Sequence, residues 1–163
     1  MEHILNSQTE GIDWKRYSDY VETIRHRLPP NVYTFASDPR HFDLDSPSSL
    51  HDAWLEACTI REAACGQRQE IRKLEIALCL LGPFHDRRIH LHYTGVTQYS
   101  FAAPARYGQP RYDHTAHGDL YTHEIRLGHE GLLVHEILFE RDATFVIECS
   151  DIKHSEEMIV RGT

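Results

Sequence analysis

Thirteen histidines in a chain of 163 residues make metal ligation the first chemistry to consider. His90-Leu91-His92 sets two imidazoles two residues apart, and on a strand that spacing puts both on one face, where two histidines can share an ion. His123 and His135, each followed by glutamate, lie on neighbouring strand-like segments and are the candidates for a third ligand. The set His90, His92, His123 and His135 therefore defines a metal-dependent enzyme or metal-binding protein as one reading. The fuller motifs of zinc enzymes do not accompany it. His123-Glu124 runs into Ile125-Arg126-Leu127 and His135-Glu136 into Ile137-Leu138-Phe139, so neither completes HExxH. The residues after His92 are Tyr93-Thr94-Gly95-Val96, where a cupin-like site would need a glutamate. Two solvated side chains on a wet strand face explain the pair more simply, and no metal or other cofactor is assigned.

Other chemistry has less support. The chain has no GxSxG elbow, no glycine-rich phosphate cradle, and no cysteine with a basic neighbour that would favour thiolate. Glu124, Glu136 and Glu148 are abundant acids, but on strands such residues more often pair across to His or Arg than act as acid and base. The reading leans away from an enzyme.

The elements that would carry these residues centre on Asp119–Asp151. Residues 120–127 alternate a mostly apolar with a mostly polar set, and 132–139 are apolar on both faces apart from His135-Glu136. Gly128-His129-Glu130-Gly131 joins them as a hairpin. A two-residue turn at His129-Glu130 would set Glu124 opposite His135. A three-residue loop with Gly131 in the left-handed region would set Glu124 opposite Glu136. The first gives complementary pairs and is favoured. Phe145, Ile147 and Cys149 then alternate in a last strand after a turn at Arg141-Asp142.

Earlier in the chain, Trp14, Tyr17, Tyr20, Val21, Ile24 and Leu28 fall at spacings of three and four, which predicts an amphipathic helix over 13–28 with Asp13 as its cap and Pro29-Pro30 as its stop. Residues 29–50 read as a loop with one short strand at Val32–Ala36. From Leu50 a strand of about ten residues is expected, with Trp54 in phase with Cys58 and Ile60, a helix being the alternative. Residues 71–81 and 88–101 follow as strands, with Gly95 marking a bulge or bend. The expectation is a single α+β domain over 1–163, its N-terminal helix packed on a largely antiparallel sheet of about six strands spanning 52–151. The loop at 102–119 has no periodicity and is long for a compact domain.

Composition narrows the function. Asp and Glu outnumber Lys and Arg by 10 to 5 in residues 1–60 and by 10 to 4 in 119–163, while 61–118 is basic by 8 to 5. A net charge of −8 argues against general nucleic-acid binding; it accommodates a basic partner more easily, although solubility alone is sufficient reason for such a balance. Cys58, Cys65, Cys79 and Cys149 lack CxxC spacing and read as small buried hydrophobes. No apolar run approaches the ~20 residues of a membrane span, and the first residues lack the pattern of a signal peptide, so the expected location is the cytoplasm. Within the long loop, Arg106, Tyr107, Arg111 and Tyr112 combine the residue types that dominate interface energy, and Asp52 and Glu56 would add acidic contacts.

Leu50-His51-Asp52 opening a strand with Trp54 and Leu55, followed by LLGPFHDRRIHLHYTGV, GDLYTHEIRL and GLLVHEILF, resembles a loose group of small uncharacterised bacterial β-rich proteins. Some families of that group are classed with immunity proteins of toxin systems. The resemblance covers about residues 50–152 and rests on strand and turn signatures, so it implies a binding protein and carries over no catalytic residue. The reading is a non-enzymatic protein-binding module that occupies a partner such as a toxin. A sheet-mediated homodimer without chemistry is the third reading.

Overall fold

The computed structural model describes residues 1–6, 11–104 and 117–160. Asp13 caps the first helix, its carboxylate accepting from the Arg16 amide at 3.0 Å, and helix α1 runs Trp14–Ile24 with Tyr17, Val21 and Ile24 buried. A 3-10 turn at Arg25–Arg27 carries the chain to Pro29-Pro30. The segment expected as loop and short strand is instead a second helix, α2 (Pro30–Ser37). Pro30 stands in its first turn, where the ring's fixed φ suits a helix start and the missing amide has no partner to lose. A further 3-10 turn at Pro39–His41 is capped by Asp38.

The remaining described elements are β1 (Leu5–Asn6), β2 (Gly11–Ile12), β3 (Trp54–Cys65), β4 (Ile71–Leu81), β5 (Arg87–Thr94), β6 (Gln98–Ala102), β7 (Leu120–Leu127), β8 (Leu133–Phe139), β9 (Thr144–Cys149) and β10 (Asp151–Met158). The fold is α+β, but the single sheet of about six strands is corrected to two antiparallel four-stranded sheets, ordered β10-β5-β4-β3 and β6-β9-β8-β7, with β1 and β2 forming a separate short pair. Two corners cause the split. Gly95, at φ +62°, ends β5 and turns the chain into β6, and Ser150 does the same between β9 and β10. A side chain at Gly95 would meet Ser150 Oγ at 2.5 Å, so the corner needs glycine for space as well as for dihedral angle.

The sheets share one core: Ile76, Leu78 and Leu80 of β4, Ile89, Leu91 and Tyr93 of β5, and Ile125, Ile137 and Ile147 of the second sheet, with Tyr17, Val21, Val32 and Phe35 from the helices. No described helix is long and apolar enough to cross a membrane. Of the cysteines read as buried, only Cys149 is; Cys58 is exposed and Cys65 and Cys79 are intermediate.

Two registers differ from expectation. In β3 the pairing shifts between Leu55 and Ala57, so Leu55, Cys58 and Ile60 stand opposite Leu80, Leu78 and Ile76 on the inward face, and Trp54 lies on the outward one. One extra residue reverses the alternation, which is why Trp54 is out of phase with Cys58 and Ile60. In the β7–β8 hairpin Glu124 pairs with Glu136, not His135. Gly128 N donates to Leu132 O across a three-residue loop in which Gly131 takes φ +81°. The like charges are tolerated because each carboxylate has other partners. The buried Glu124 accepts from the amides of Glu2, His3 and Ile4 at 2.7, 2.9 and 3.0 Å, and Arg126 lies 3.5 Å from Glu124 and 3.4 Å from Glu136.

Candidate functional site

The four strands at the sheet edges are treated differently. Along β7, the Tyr17 hydroxyl accepts from Ile125 N at 2.8 Å and the Tyr20 hydroxyl accepts from Leu127 N at 3.0 Å, so two tyrosines of α1 stand in for a neighbouring strand. Along β10, α2 lies over the strand and Asn31 Nδ2 donates to Asp151 Oδ1 at 2.7 Å and to Ile152 O at 2.8 Å. The short β6 is mostly exposed. Among the described residues nothing covers the twelve residues of β3 in this way: nine of them are exposed, including Trp54, Cys58 and Ile60. The inward apolar row of β4 thus continues onto an edge strand that faces solvent.

The chain enters β3 through Asp52, in the left-handed region at φ 62°, whose amide donates to Leu120 O at 2.9 Å. Its carboxylate stands with those of Asp119 and Glu140, one oxygen of each lying within 4.8 Å of the others. Glu56 sits at the bulge and accepts from Arg88 Nε at 2.7 Å, so its charge is already engaged. Arg106, Tyr107, Arg111 and Tyr112 lie outside the described residues.

The expected histidine set does not converge. Ile89, Leu91 and Tyr93 are buried, which turns His90 and His92 outward, where they face Glu157 at 3.4 Å and Glu75 at 3.5 Å. His123 and His135 are buried, on β7 and β8 of the other sheet. There they form a chain: the Tyr93 hydroxyl lies 2.8 Å from His135 Nδ1, and His135 Nε2 lies 3.1 Å from His123 Nδ1. The far ring nitrogen, His123 Nε2, is buried without a hydrogen-bond partner among the described residues. Burial pushes the pKa of His135 down to about 3 and that of His123 well below its usual value, so both rings are neutral at ordinary pH.

A second cluster, absent from the expectation, lies beside α2. His41 Nδ1 is 3.0 Å from Phe35 O, which makes Nδ1 the protonated nitrogen and leaves a lone pair on Nε2. That Nε2 is buried without a hydrogen-bond partner among the described residues, and so is His154 Nε2. His154 stacks on Phe35 at 4.8 Å between ring centres, and His41 meets His154 at 4.7 Å edge to face. Glu156 completes the group. Its Oε2 accepts from Arg87 Nη1 at 2.7 Å and from Ser48 Oγ at 3.0 Å, and its Oε1 stands 3.7 Å from His154 Nε2. Burial lowers the pKa of His41, and burial with the nearby His41 brings His154 down to about 4. Burial alone would raise Glu156, but its hydrogen bonds to Arg87 and Ser48 outweigh that and hold it low. His41, His154 and Phe35 line a cleft of about 540 Å³, together with Asn31, Thr34, Asp38, Arg40, Asp151 and Lys153.

Spacing does not mark out His41, which lies in a proline-punctuated stretch that reads as loop, or His154, which lies past the expected end of the sheet at residue 151. The available signal was His154-Ser155-Glu156, a histidine and a glutamate two apart on one strand face. No protein-family model matches the chain, and no curated protein is significantly similar to it.

Proposed function

We propose that the protein is a non-enzymatic binding module that takes an extended segment of a basic partner protein as a fifth strand alongside β3, in the manner of an immunity protein occupying a toxin. The observation that carries this reading is the bare edge of β3. An uncovered edge strand offers a row of backbone donors and acceptors to any chain that can lie beside it. Leu55, Cys58 and Ile60 would give the added strand apolar neighbours on its inward side. Asp52, Asp119 and Glu140 stand where the chain enters this edge and favour a lysine or arginine on the partner. The net charge of −8 favours a basic partner over a second copy of this chain, since two acidic surfaces repel. The resemblance to immunity-type proteins over residues 50–152 supports the same reading.

The test uses the purified product of the reading frame adjacent to this one as the probe, with affinity measured by calorimetry. Ile60→Lys places a charge on the inward side of the open edge and should weaken binding at least tenfold while the melting temperature holds. Unchanged affinity, or no complex with that product, overturns the reading. A homodimer seen by light scattering and dissolved by I60K would replace the foreign partner with a second copy.

A further inference from the structure

We propose that His41 Nε2, His154 Nε2 and Glu156 Oε1 form a site for a divalent transition-metal ion of the zinc class, with its remaining coordination position open to the cleft beneath α2. One ligand atom of each of the three residues already lies within 4.8 Å of the others. Bonds of about 2.0 to 2.1 Å in tetrahedral geometry require ligand atoms roughly 3.3 Å apart, so the 3.7 Å between His154 Nε2 and Glu156 Oε1 needs a shift of only a few tenths of an ångström. Two imidazoles and one carboxylate are a donor set that zinc uses where a fourth position is kept free.

Two features make this more than an accidental gathering. First, two of the ligand atoms are buried nitrogens without a partner among the described residues, and such orphans carry a desolvation cost that a bound ion removes. Secondly, the supporting contacts are those a ligand shell requires. The Phe35 carbonyl accepts the proton on His41 Nδ1 and so fixes the lone pair on Nε2. Arg87 and Ser48 hold Glu156 through Oε2 and leave Oε1 toward the histidines. The groups facing His154 are His41, Glu156 and, further out, Asp38 and Arg40. His123 is not part of the set, since the converging group consists of His41, His154 and Glu156. Arg40 and Lys153 on the cleft wall would face an anion or water held at the open position.

The test is titration of the full chain, made without a histidine tag and stripped with chelator, using zinc for calorimetry and cobalt for absorption. One equivalent should bind, and the cobalt form should show tetrahedral d–d bands without the thiolate charge-transfer band that a cysteine ligand would give. His154→Ala and Glu156→Gln should each weaken zinc at least a hundredfold, and H90A with H92A should leave it unchanged. His41→Ala is the harsher variant because that ring is buried, so folding is checked by circular dichroism, and H154A and E156Q keep the result readable if H41A does not fold. Absence of a stoichiometric ion, a thiolate band, or affinity lost with His90 and His92 instead of His154 and Glu156 would overturn the proposal. The outcome does not depend on partner binding at β3, which the same variants leave in place.

Discussion

β10 and β3 are the two outer strands of one sheet, and they are finished in opposite ways. On the β10 side, α2 lays Phe35 against His154, Asn31 takes a free carbonyl of the strand, and polar atoms are drawn inward into the cluster of His41, His154 and Glu156. On the β3 side the apolar row simply runs out into solvent, and the charged side chains pair across the surface, Arg61 with Glu75 and Arg72 with Glu62. A sheet can satisfy an edge with its own helix or leave it for another chain; here one sheet does both. The closed edge should therefore hold the stability of the molecule and the open edge its contacts.

Phe35→Ala should break that division most severely. The ring is buried and touches His41, His123, His135 and His154, so its loss opens a cavity among polar rings at a cost of about 3 to 5 kcal/mol, read as the shift in denaturant midpoint. Acid should act next, and on the interior alone. His135 titrates near 3 when folded and near its ordinary 6.5 when unfolded, so between those values the unfolded chain binds a proton that the folded chain refuses. Stability is then full above pH 6.5 and falls by about 1.4 kcal/mol per pH unit per such histidine as the pH drops below it. His123, shifted the same way, adds to the slope. Stability measured from pH 7 to 4.5 should lose about one proton's worth of slope in His135→Gln; a slope unaltered in that variant would place the titrating groups elsewhere.

How much of this division the sequence disclosed depends on whether the signal was local. The cap at Asp13, the stripe of Tyr17, Val21 and Ile24 and the strands carrying Ile76 to Leu80 are written in spacing and were readable. The α2 helix was not, because Pro29, Pro30, Pro39 and Pro47 punctuate its surroundings as a loop would, and proline at a helix's first turn looks the same as proline in a turn. The hairpin register went to the less favoured alternative because Glu124 meets the amides of residues 2 to 4, partners more than a hundred positions distant that no local pairing rule could weigh. The same limit hid the metal candidates. His90 and His92 advertised themselves by spacing, yet their strand faces them outward, whereas His41 and His154 meet only because α2 and the turn after it fold over β10.

Asn31→Ala should have a moderate effect confined to the closed edge. It removes two hydrogen bonds, one to a backbone carbonyl that water can then reach, at about 1 to 2 kcal/mol in all. Amide exchange in β10 should quicken while β3 stays as it was, and equal acceleration in both strands would mean that the two edges open together.

The smallest change is expected at β3 itself. Ile60 is 43% exposed although its cross-strand partner Ile76 is fully buried, so the two occupy one rung with opposite surroundings. Ile60→Lys can carry its ammonium into water along a flexible stem while the methylenes keep part of the contact, and should change stability by no more than about 0.5 kcal/mol. Ile76→Lys has no such exit and should prevent folding. A stability loss at Ile60 approaching that of a core isoleucine would show that this edge is already covered in the folded chain, and would withdraw the argument for a partner strand there while leaving the histidine cluster at the other edge untouched.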